Sequence, residues 1–315
     1  MYPHSRVLIC DSIDNAGIES LKKSGMVVEY QPEINLDQLR SIAKNYDVLI
    51  VRSRTKITKD IIEASTPHVK IIARVGVGLD NIDVEEAKAR NIHVINSPEA
   101  AVNAVSELVI GLILSLARSI PFADAETKKG NWIKKDLTGI ELRGKYLGII
   151  GVGNIGRNIG RIGRALRMNI IGYDIVPIDK DFVKEVGLIV TDLNTLLESS
   201  DFITCHVPLT AETKKMFNRE KLSKMKSTAF LVNTSRGEVI DEGALYDALS
   251  DGRIAGAALD VFETEPPTSR MLLQLQNVVC TPHIGAQTKE AQELAAMVIA
   301  EKIVQNLREI QMGKE

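Results

Sequence analysis

Cysteine is scarce in this sequence, and what there is does not pair. Cys10, Cys205 and Cys280 each sit inside an apolar run, and no two are close in sequence. A zinc or redox motif would need pairs such as CxxC, so no metal is expected. The thiols read as buried structural side chains in a reducing compartment. Charge of one sign is also lacking. The formal net charge is -2, so no global field draws the chain to nucleic acid or to a membrane surface, although a local basic patch could serve a small anion. The most apolar stretch, Leu108 to Ala117, falls short of the ~20 residues that cross a bilayer. The strand-like segment Val7–Cys10 starts too early to leave room for a secretory leader. There is no low-complexity segment and no fixed-period repeat. These absences point to a cytoplasmic protein that binds neither membrane nor nucleic acid.

What is present is ordinary for a globular chain: 44% hydrophobic and 25% charged residues over 315 positions, a length that fits two domains. Short apolar runs alternate with amphipathic stretches. Val7–Cys10, Val27–Tyr30, Val48–Val51, Ile71–Arg74 and His93–Ile95 read as strands, with helices at Ala16–Lys23, Leu36–Lys44, Asp60–Ala64 and Val84–Arg90. A long helix follows at Ala101–Ser119. It is apolar on so much of its surface that it must be buried or face a partner. A second alternation puts strands at Leu147–Gly151, Ile170–Tyr173, Phe202–His206, Ala229–Asn233, Gly256–Asp260 and Val278–Thr281, and helices at Gly153–Leu166, Leu193–Ser199 and Glu242–Asp251. The tail Lys289–Leu307 is helical. This rhythm predicts an α/β fold with parallel sheets covered by helices on both faces.

Gly151-Val152-Gly153-Asn154-Ile155-Gly156 is a G-x-G-x-x-G run that follows a strand and opens a helix, the context in which the pattern carries meaning. Gly151 permits the turn, Gly153 lets backbone approach a pyrophosphate, and Gly156 allows close packing of helix on strand. Asp174 ends the next strand, where a carboxylate accepts from ribose hydroxyls and repels a 2′-phosphate. No cation follows at Ile175, Val176 or Pro177. NAD is therefore expected rather than NADP, although a strand-ending aspartate also caps turns.

Three further segments follow apolar strands, where open α/β sheets bind ligands. They carry Arg236, Glu265 and His283. Singly, each has a plain reading: a surface ion pair, a solvated loop acid and a structural histidine. Together they supply a fork for a carboxylate, a carboxylate to orient a base, and a proton acceptor.

These segments resemble the D-isomer-specific 2-hydroxyacid dehydrogenase family, in particular its members acting on D-3-phosphoglycerate. The resemblance covers nearly the whole chain through VRSRT at 51–55, ARVGVGLDNID at 73–83, GVGNIG at 151–156, NTSRGEVIDEGAL at 233–245, AALDVFETEPP at 257–267 and TPHIGAQTKEAQ at 281–292. It implies two Rossmann-like, doubly wound domains separated by a cleft: 1–98 plus 284–315 for substrate, 99–283 for NAD. It makes Arg236 the binder of the substrate carboxylate and carbonyl, His283 the acid/base, and Glu265 the acid that bonds this histidine and favours its protonated form. Asp260 matches an aspartate facing the nicotinamide carboxamide. Val77, Asn154, Ile155, Asp174, Val207, Pro208, Thr234, Ser235, Arg236, His283, Gly285 and Ala286 match cofactor contacts. Arg52, Ser53 and Gly76 would close over the substrate, with Arg54 in a loop suited to its phosphate; that loop reads otherwise as solvated. Lys134, beside Trp132, matches a basic residue that family members borrow from a partner subunit, and a homodimer through the NAD domain is expected. Rival readings within the family are a glyoxylate or hydroxypyruvate reductase and an NAD-sensing corepressor scaffold. Formate dehydrogenase relatives place glutamine where Glu265 stands. Many serine-pathway relatives add a C-terminal regulatory domain; the chain ends soon after the helix at 289–307, so inhibition by serine through such a domain is not expected.

Overall fold

The structure, a computed structural model, describes residues 5–268 and 270–312. The first four and last three residues of the expected substrate domain lie outside them. The chain divides into two compact units, Met1–Ala101 with Ala286–Glu315, and Val102–Gly285.

Unit 1 alternates β1 (Arg6–Ile9), α1 (Asn15–Lys23), β2 (Val27–Tyr30), α2 (Leu36–Ile42), β3 (Val48–Val51), α3 (Lys59–Ser65), β4 (Ile71–Arg74), α4 (Val84–Ala89) and β5 (His93–Asn96). The sheet is wholly parallel in the order β2-β1-β3-β4-β5. The runs VLI, VLIV and IIA are buried without alternation, as strands covered on both faces must be. Asp14, Asn35 and Asp83 accept from first-turn N–H groups and start three of the helices.

Unit 2 opens with α5 (Val102–Arg118) and α6 (Ile120–Lys128). It continues through β6 (Tyr146–Ile150), α7 (Asn154–Ala165), β7 (Asn169–Tyr173), α8 (Lys180–Val186), β8 (Ile189–Val190), α9 (Leu193–Ser199) and β9 (Phe202–Cys205). α10 (Arg219–Lys224), β10 (Phe230–Asn233), α11 (Glu242–Ser250), β11 (Gly256–Leu259) and β12 (Val278–Cys280) follow. Its sheet runs β12-β11-β10-β9-β6-β7-β8, all parallel, a dinucleotide-binding order whose direction reverses between β6 and β9. The last helix, α12 (Lys289–Met312), returns to unit 1 and buries Ala295, Ile299, Ala300, Ile303 and Leu307 in that unit's core.

The unit boundaries fall at 101/102 and 285/286 rather than after 98 and 283, for local reasons. The turn at 98–101 is held by α12, with Lys302 Nζ donating to Asn96 O (2.8 Å) and pairing with Glu99 (2.7 Å). Gly285 is held by Asp260 of unit 2. The helical stretch Pro98–Arg118 is long and apolar enough to cross a membrane, longer than the Leu108–Ala117 run, but more than half of it is buried inside the protein. Four elements escaped the sequence reading. α6 buries no residue and so shows no apolar face. α8, α10 and β8 are short, and only the capping residues Asp179 and Asn218 signalled the two helices.

Candidate active site

The glycine-rich turn joins β6 to α7 at the point where the strand order of unit 2 reverses. Gly151 has φ +88°, and a Cβ there would stand 2.6 Å from the carbonyl oxygen of His206, just past β9. Gly156 meets the Gly151 carbonyl where its own Cβ would be. Gly153 differs, since a Cβ would meet no protein atom within 4 Å, so the room beside it is open to a ligand. Gly153 is also the N-cap of α7 and gives it no side-chain cap, whereas α8, α9, α10 and α11 are capped by Asp179, Asp192, Asn218 and Asp241. The first turn of α7, with Asn154 and Ile155, therefore keeps free N–H groups at the positive end of the helix dipole, a fit for pyrophosphate.

Asp174 follows β7 and ties this turn in place. Its Oδ2 accepts from Val152 N–H (2.7 Å) and its Oδ1 from Val176 N–H (3.0 Å). A carboxylate has about four lone-pair sites, so it can hold the turn and still accept from ribose. Asp174→Ala is expected to weaken NAD binding by about 10- to 100-fold, the worth of hydrogen bonds to a charged group, and to weaken NADP binding less, because only the turn-holding contact is lost there. Calorimetric titration of both nucleotides checks this, and equal NAD affinity in the variant would remove Asp174 from the site. Val207 and Pro208 follow β9, and Thr234 and Ser235 follow β10, on the same side of the sheet. Thr234 Oγ1 is buried without a hydrogen-bond partner. The open room at Gly153, the uncapped α7 and Asp174 together fit a dinucleotide.

Arg236 sits in the turn after β10. Buried Asn233 shapes that turn, accepting from Ser235 N–H (3.0 Å) and Oγ (2.8 Å) on Oδ1 and donating from Nδ2 to Arg236 O (2.8 Å). Arg236 Nη1 donates to Ser235 O at 2.7 Å. The next residue, Gly237, lies against the loop that leads to Glu265: a Cβ there would overlap the Phe262 carbonyl and stand 2.5 Å from Glu263 N. Glu265 Oε1 accepts from Phe262 N–H (3.2 Å), and Oε2 lies 2.7 Å from His283 Nδ1. The carboxylate accepts, so Nδ1 carries the hydrogen and Nε2 is the ring nitrogen turned away from Glu265. The histidine side chain is 53% exposed and accessible.

His283 has φ +53°, a left-handed conformation that costs a non-glycine residue about 1–3 kcal/mol and persists only where its surroundings impose it. Asp260 imposes it. This carboxylate is 1% exposed. Oδ1 accepts from Thr281 Oγ1 (2.6 Å) and Ile284 N–H (2.8 Å), Oδ2 from Gly285 N–H (2.8 Å), and the Asp260 carbonyl from His283 N–H (2.9 Å). The residue that the resemblance pointed at the cofactor is thus engaged in holding the histidine loop. Asn233 and Asp260 as turn-holders were not legible from spacing, because burial gives them these roles.

The other strand-end histidine is unsuited to proton transfer. Burial pushes His206 down to about 3, and its Nε2 lies 2.8 Å from Thr204 Oγ1. Burial pushes the Cys10 and Cys205 thiols up to about 12 and 11. Cys10 and Cys205 are buried as expected. Cys280 is exposed, against expectation, because β12 is an edge strand. Among the described residues no group of three or more His, Cys, Asp or Glu could hold a metal ion.

In unit 1, Arg52, Ser53 and Arg54 follow β3, and Gly76 and Val77 follow β4. Gly76 N–H donates to Ser97 Oγ (3.0 Å), and Val77 O accepts from Asn96 Nδ2 (2.6 Å). The two arginines behave differently: Arg54 is drawn into the fold by three backbone carbonyls, while Arg52 has a long contact to Gln287 (3.4 Å). Ala286 opens the returning segment of unit 1. Lys134 is exposed, two residues from Trp132, which is 82% exposed.

Residues 110–285 match the family model for the D-isomer specific 2-hydroxyacid dehydrogenase NAD-binding domain. A D-3-phosphoglycerate dehydrogenase of Methanocaldococcus jannaschii is 47% identical over 96% of this chain, which spans 57% of that relative's length. A hydroxypyruvate reductase of Thermotoga maritima is also 47% identical, over 96% of this chain and 98% of its own. The solved structure of a glyoxylate reductase from Paecilomyes thermophila superposes with a TM-score of 0.87 at 30% identity, covering 96% of this chain and 94% of that one. The chain thus spans little more than half of the phosphoglycerate dehydrogenase and nearly all of the reductase. With its glycine-rich turn, uncapped α7 and Asp174 all inside the matched segment, the chain belongs to the D-isomer specific 2-hydroxyacid dehydrogenase family and carries its NAD-binding domain.

Proposed function

We propose that the chain is an NAD-dependent D-2-hydroxyacid dehydrogenase that oxidises D-3-phosphoglycerate to 3-phosphohydroxypyruvate, the reaction that opens serine biosynthesis. The observation that carries the dehydrogenase chemistry is the 2.7 Å bond between Glu265 and His283 within the unit that binds NAD, and the choice of substrate leans on the phosphoglycerate dehydrogenase relatives. Bound NAD supplies the hydride acceptor. His283 Nε2 takes the proton of the substrate hydroxyl, and Glu265 holds the ring and stabilises the imidazolium that results. Arg236 pairs with the substrate carboxylate through its planar fork and polarises the oxygen that becomes the carbonyl. Asn233 and Asp260 keep the two loops in place. Arg52, Ser53 and Gly76 of unit 1 recognise the substrate's far end. Three free thiols suit a cytoplasmic setting.

A homodimer accompanies this reading. The outer side of α5 offers Leu114 (38% exposed) and Gly111, where a Cβ would meet nothing within 4 Å. Farther along the chain Ile120 and Trp132 are also exposed, and Lys134 lies two residues past Trp132. Exposed apolar side chains of this kind suit an interface between copies, in which Lys134 would be offered to the partner's substrate.

The Thermotoga relative supports a second reading, a hydroxypyruvate reductase, because it matches this chain from end to end. Steady-state rates decide between the two. D-3-phosphoglycerate, glycerate, 2-hydroxyglutarate and lactate are assayed with NAD and NADP, and hydroxypyruvate and glyoxylate with NADH. We expect kcat/KM for D-3-phosphoglycerate to exceed that for glycerate by at least ~10-fold, the worth of one well-placed ion pair. The reverse preference gives the reductase, and no turnover of any substrate overturns the enzyme reading.

A further inference from the structure

Open α/β sheets in the order of unit 1 bind ligands between the carboxyl ends of β1 and β3. In unit 1 that place is filled by the chain itself. Asp11, two residues past β1, is 3% exposed. Its Oδ2 accepts from the N–H groups of Arg52 (2.5 Å) and Thr55 (3.2 Å), and its Oδ1 accepts from Thr55 Oγ1 (2.6 Å). The guanidinium of Arg54 lies over the same carboxylate, with Nη2 3.1 Å from Oδ1. Nη2 also donates to Cys10 O and Pro32 O, both at 2.6 Å, and Nη1 donates to Ile34 O at 3.1 Å. From the other side Asn81 Nδ2 donates to Arg52 O (2.8 Å) and Thr55 O (2.6 Å). The backbone of residues 52 and 55 is thus held by its N–H groups and its carbonyls alike.

The two arginines of this loop divide the work. A guanidinium has five donors in a fixed fork. In Arg54 the two terminal nitrogens face three carbonyls and a buried carboxylate, so turning it toward a ligand would leave Asp11 its hydrogen bonds but remove its cation. Among the described residues the Arg52 guanidinium has only a long, exposed contact to Gln287 at 3.4 Å, which a stronger anionic partner displaces. We propose that Asp11 and Arg54 are positioning residues that plug the β1–β3 crevice and lock the 52–55 loop, so that Arg52 alone of the two arginines reads the substrate's phosphate. The assignment to phosphate rests on the substrate proposed above; the brace does not.

The test compares Arg52→Ala, Arg54→Ala, Thr55→Val and Thr55→Ser in the full chain. Each is measured for KM and kcat on D-3-phosphoglycerate and on glycerate, which lacks the phosphate, and for Tm. Arg52→Ala is expected to raise KM for D-3-phosphoglycerate about 100-fold, as loss of a charge-assisted pair does, and so to collapse the preference for D-3-phosphoglycerate over glycerate, while Tm stays close to wild type. Arg54→Ala is expected to lower Tm by several degrees and to change both substrates alike. Should Arg54→Ala fail to fold, the threonine pair decides. Thr55→Val removes the hydroxyl on Asp11, raising KM for D-3-phosphoglycerate about 10-fold at near-constant kcat, and Thr55→Ser restores it. An Arg54→Ala variant with unchanged Tm and a phosphate-selective rise in KM overturns the proposal, as does an unaltered KM in Thr55→Val. A wild type that ignores D-3-phosphoglycerate overturns the substrate reading and with it the phosphate role of Arg52, and Tm then decides the brace alone.

Discussion

His283→Ala is expected to lower kcat by about 10³-fold or more, within the range for loss of a general acid–base, and to leave NAD affinity within about threefold, less than 1 kcal/mol. The dissociation follows from the geometry. The imidazole has one ring nitrogen on Glu265 and the other available to a substrate proton. The features fitted to the dinucleotide, Gly153, α7 and Asp174, lie elsewhere in unit 2 and lose no contact. His206 is a poor substitute, since burial keeps it neutral through the physiological range. Stopped-flow hydride transfer and calorimetric NAD binding, run on the same preparation, separate the two effects. A variant that keeps wild-type turnover refutes the acid–base assignment.

The second large effect is expected at a residue with no chemistry. In Gly237→Ala the new methyl would occupy the space of the Phe262 carbonyl. The obstacle is backbone rather than the end of a flexible side chain, so relief requires the loops carrying Arg236 and Glu265 to part. Overpacking of this kind costs about 3 kcal/mol or more, a fall in Tm of roughly 6–12 °C for a domain of this size. Activity should fall further than stability, because the guanidinium and the His283–Glu265 pair are carried by the two loops that separate. Gly243→Ala is the control: in α11 its Cβ meets only Asp241 Oδ1, at an ordinary 3.4 Å, so alanine there should be neutral or stabilising by up to about 1 kcal/mol. Thermal melts of both variants check the contrast. Equal Tm values would mean that the two loops do not need their close approach.

Much of this arrangement could be read from the sequence, because parallel sheets write themselves as unbroken apolar runs. VLIV at β3 and FITC at β9 are buried at every position, and Gly151, Gly153 and Gly156 sit where the strand-to-helix turn requires them. Histidine 283 and Glu265 were also within reach, since each ends a strand-linked motif with a chemical demand. What stayed hidden depends on three dimensions. Nothing in the spacing of Asp11, Arg54 and Asn81 foretells that they meet around one loop, because those contacts span 26 to 44 residues of chain. Without them Arg52 and Arg54 look interchangeable. Likewise Asp260 reads as one more strand-end acid until burial shows both oxygens spent on the 281–285 segment. Exposure of Cys280 followed from its strand lying at the sheet's edge, a fact of strand order rather than of local hydropathy.

The left-handed backbone of His283 has a bearing on how this position would answer to directed evolution. Saturation of codon 283 imposes two filters at once, one for the function of the ring and one for tolerance of positive φ. Valine, isoleucine and threonine fail the second before the first is ever tried, whereas asparagine and aspartate pass it with ease. A survey of replacements there would therefore sort partly by torsional tolerance, and asparagine is the substitution whose failure speaks of the lost imidazole rather than of backbone strain.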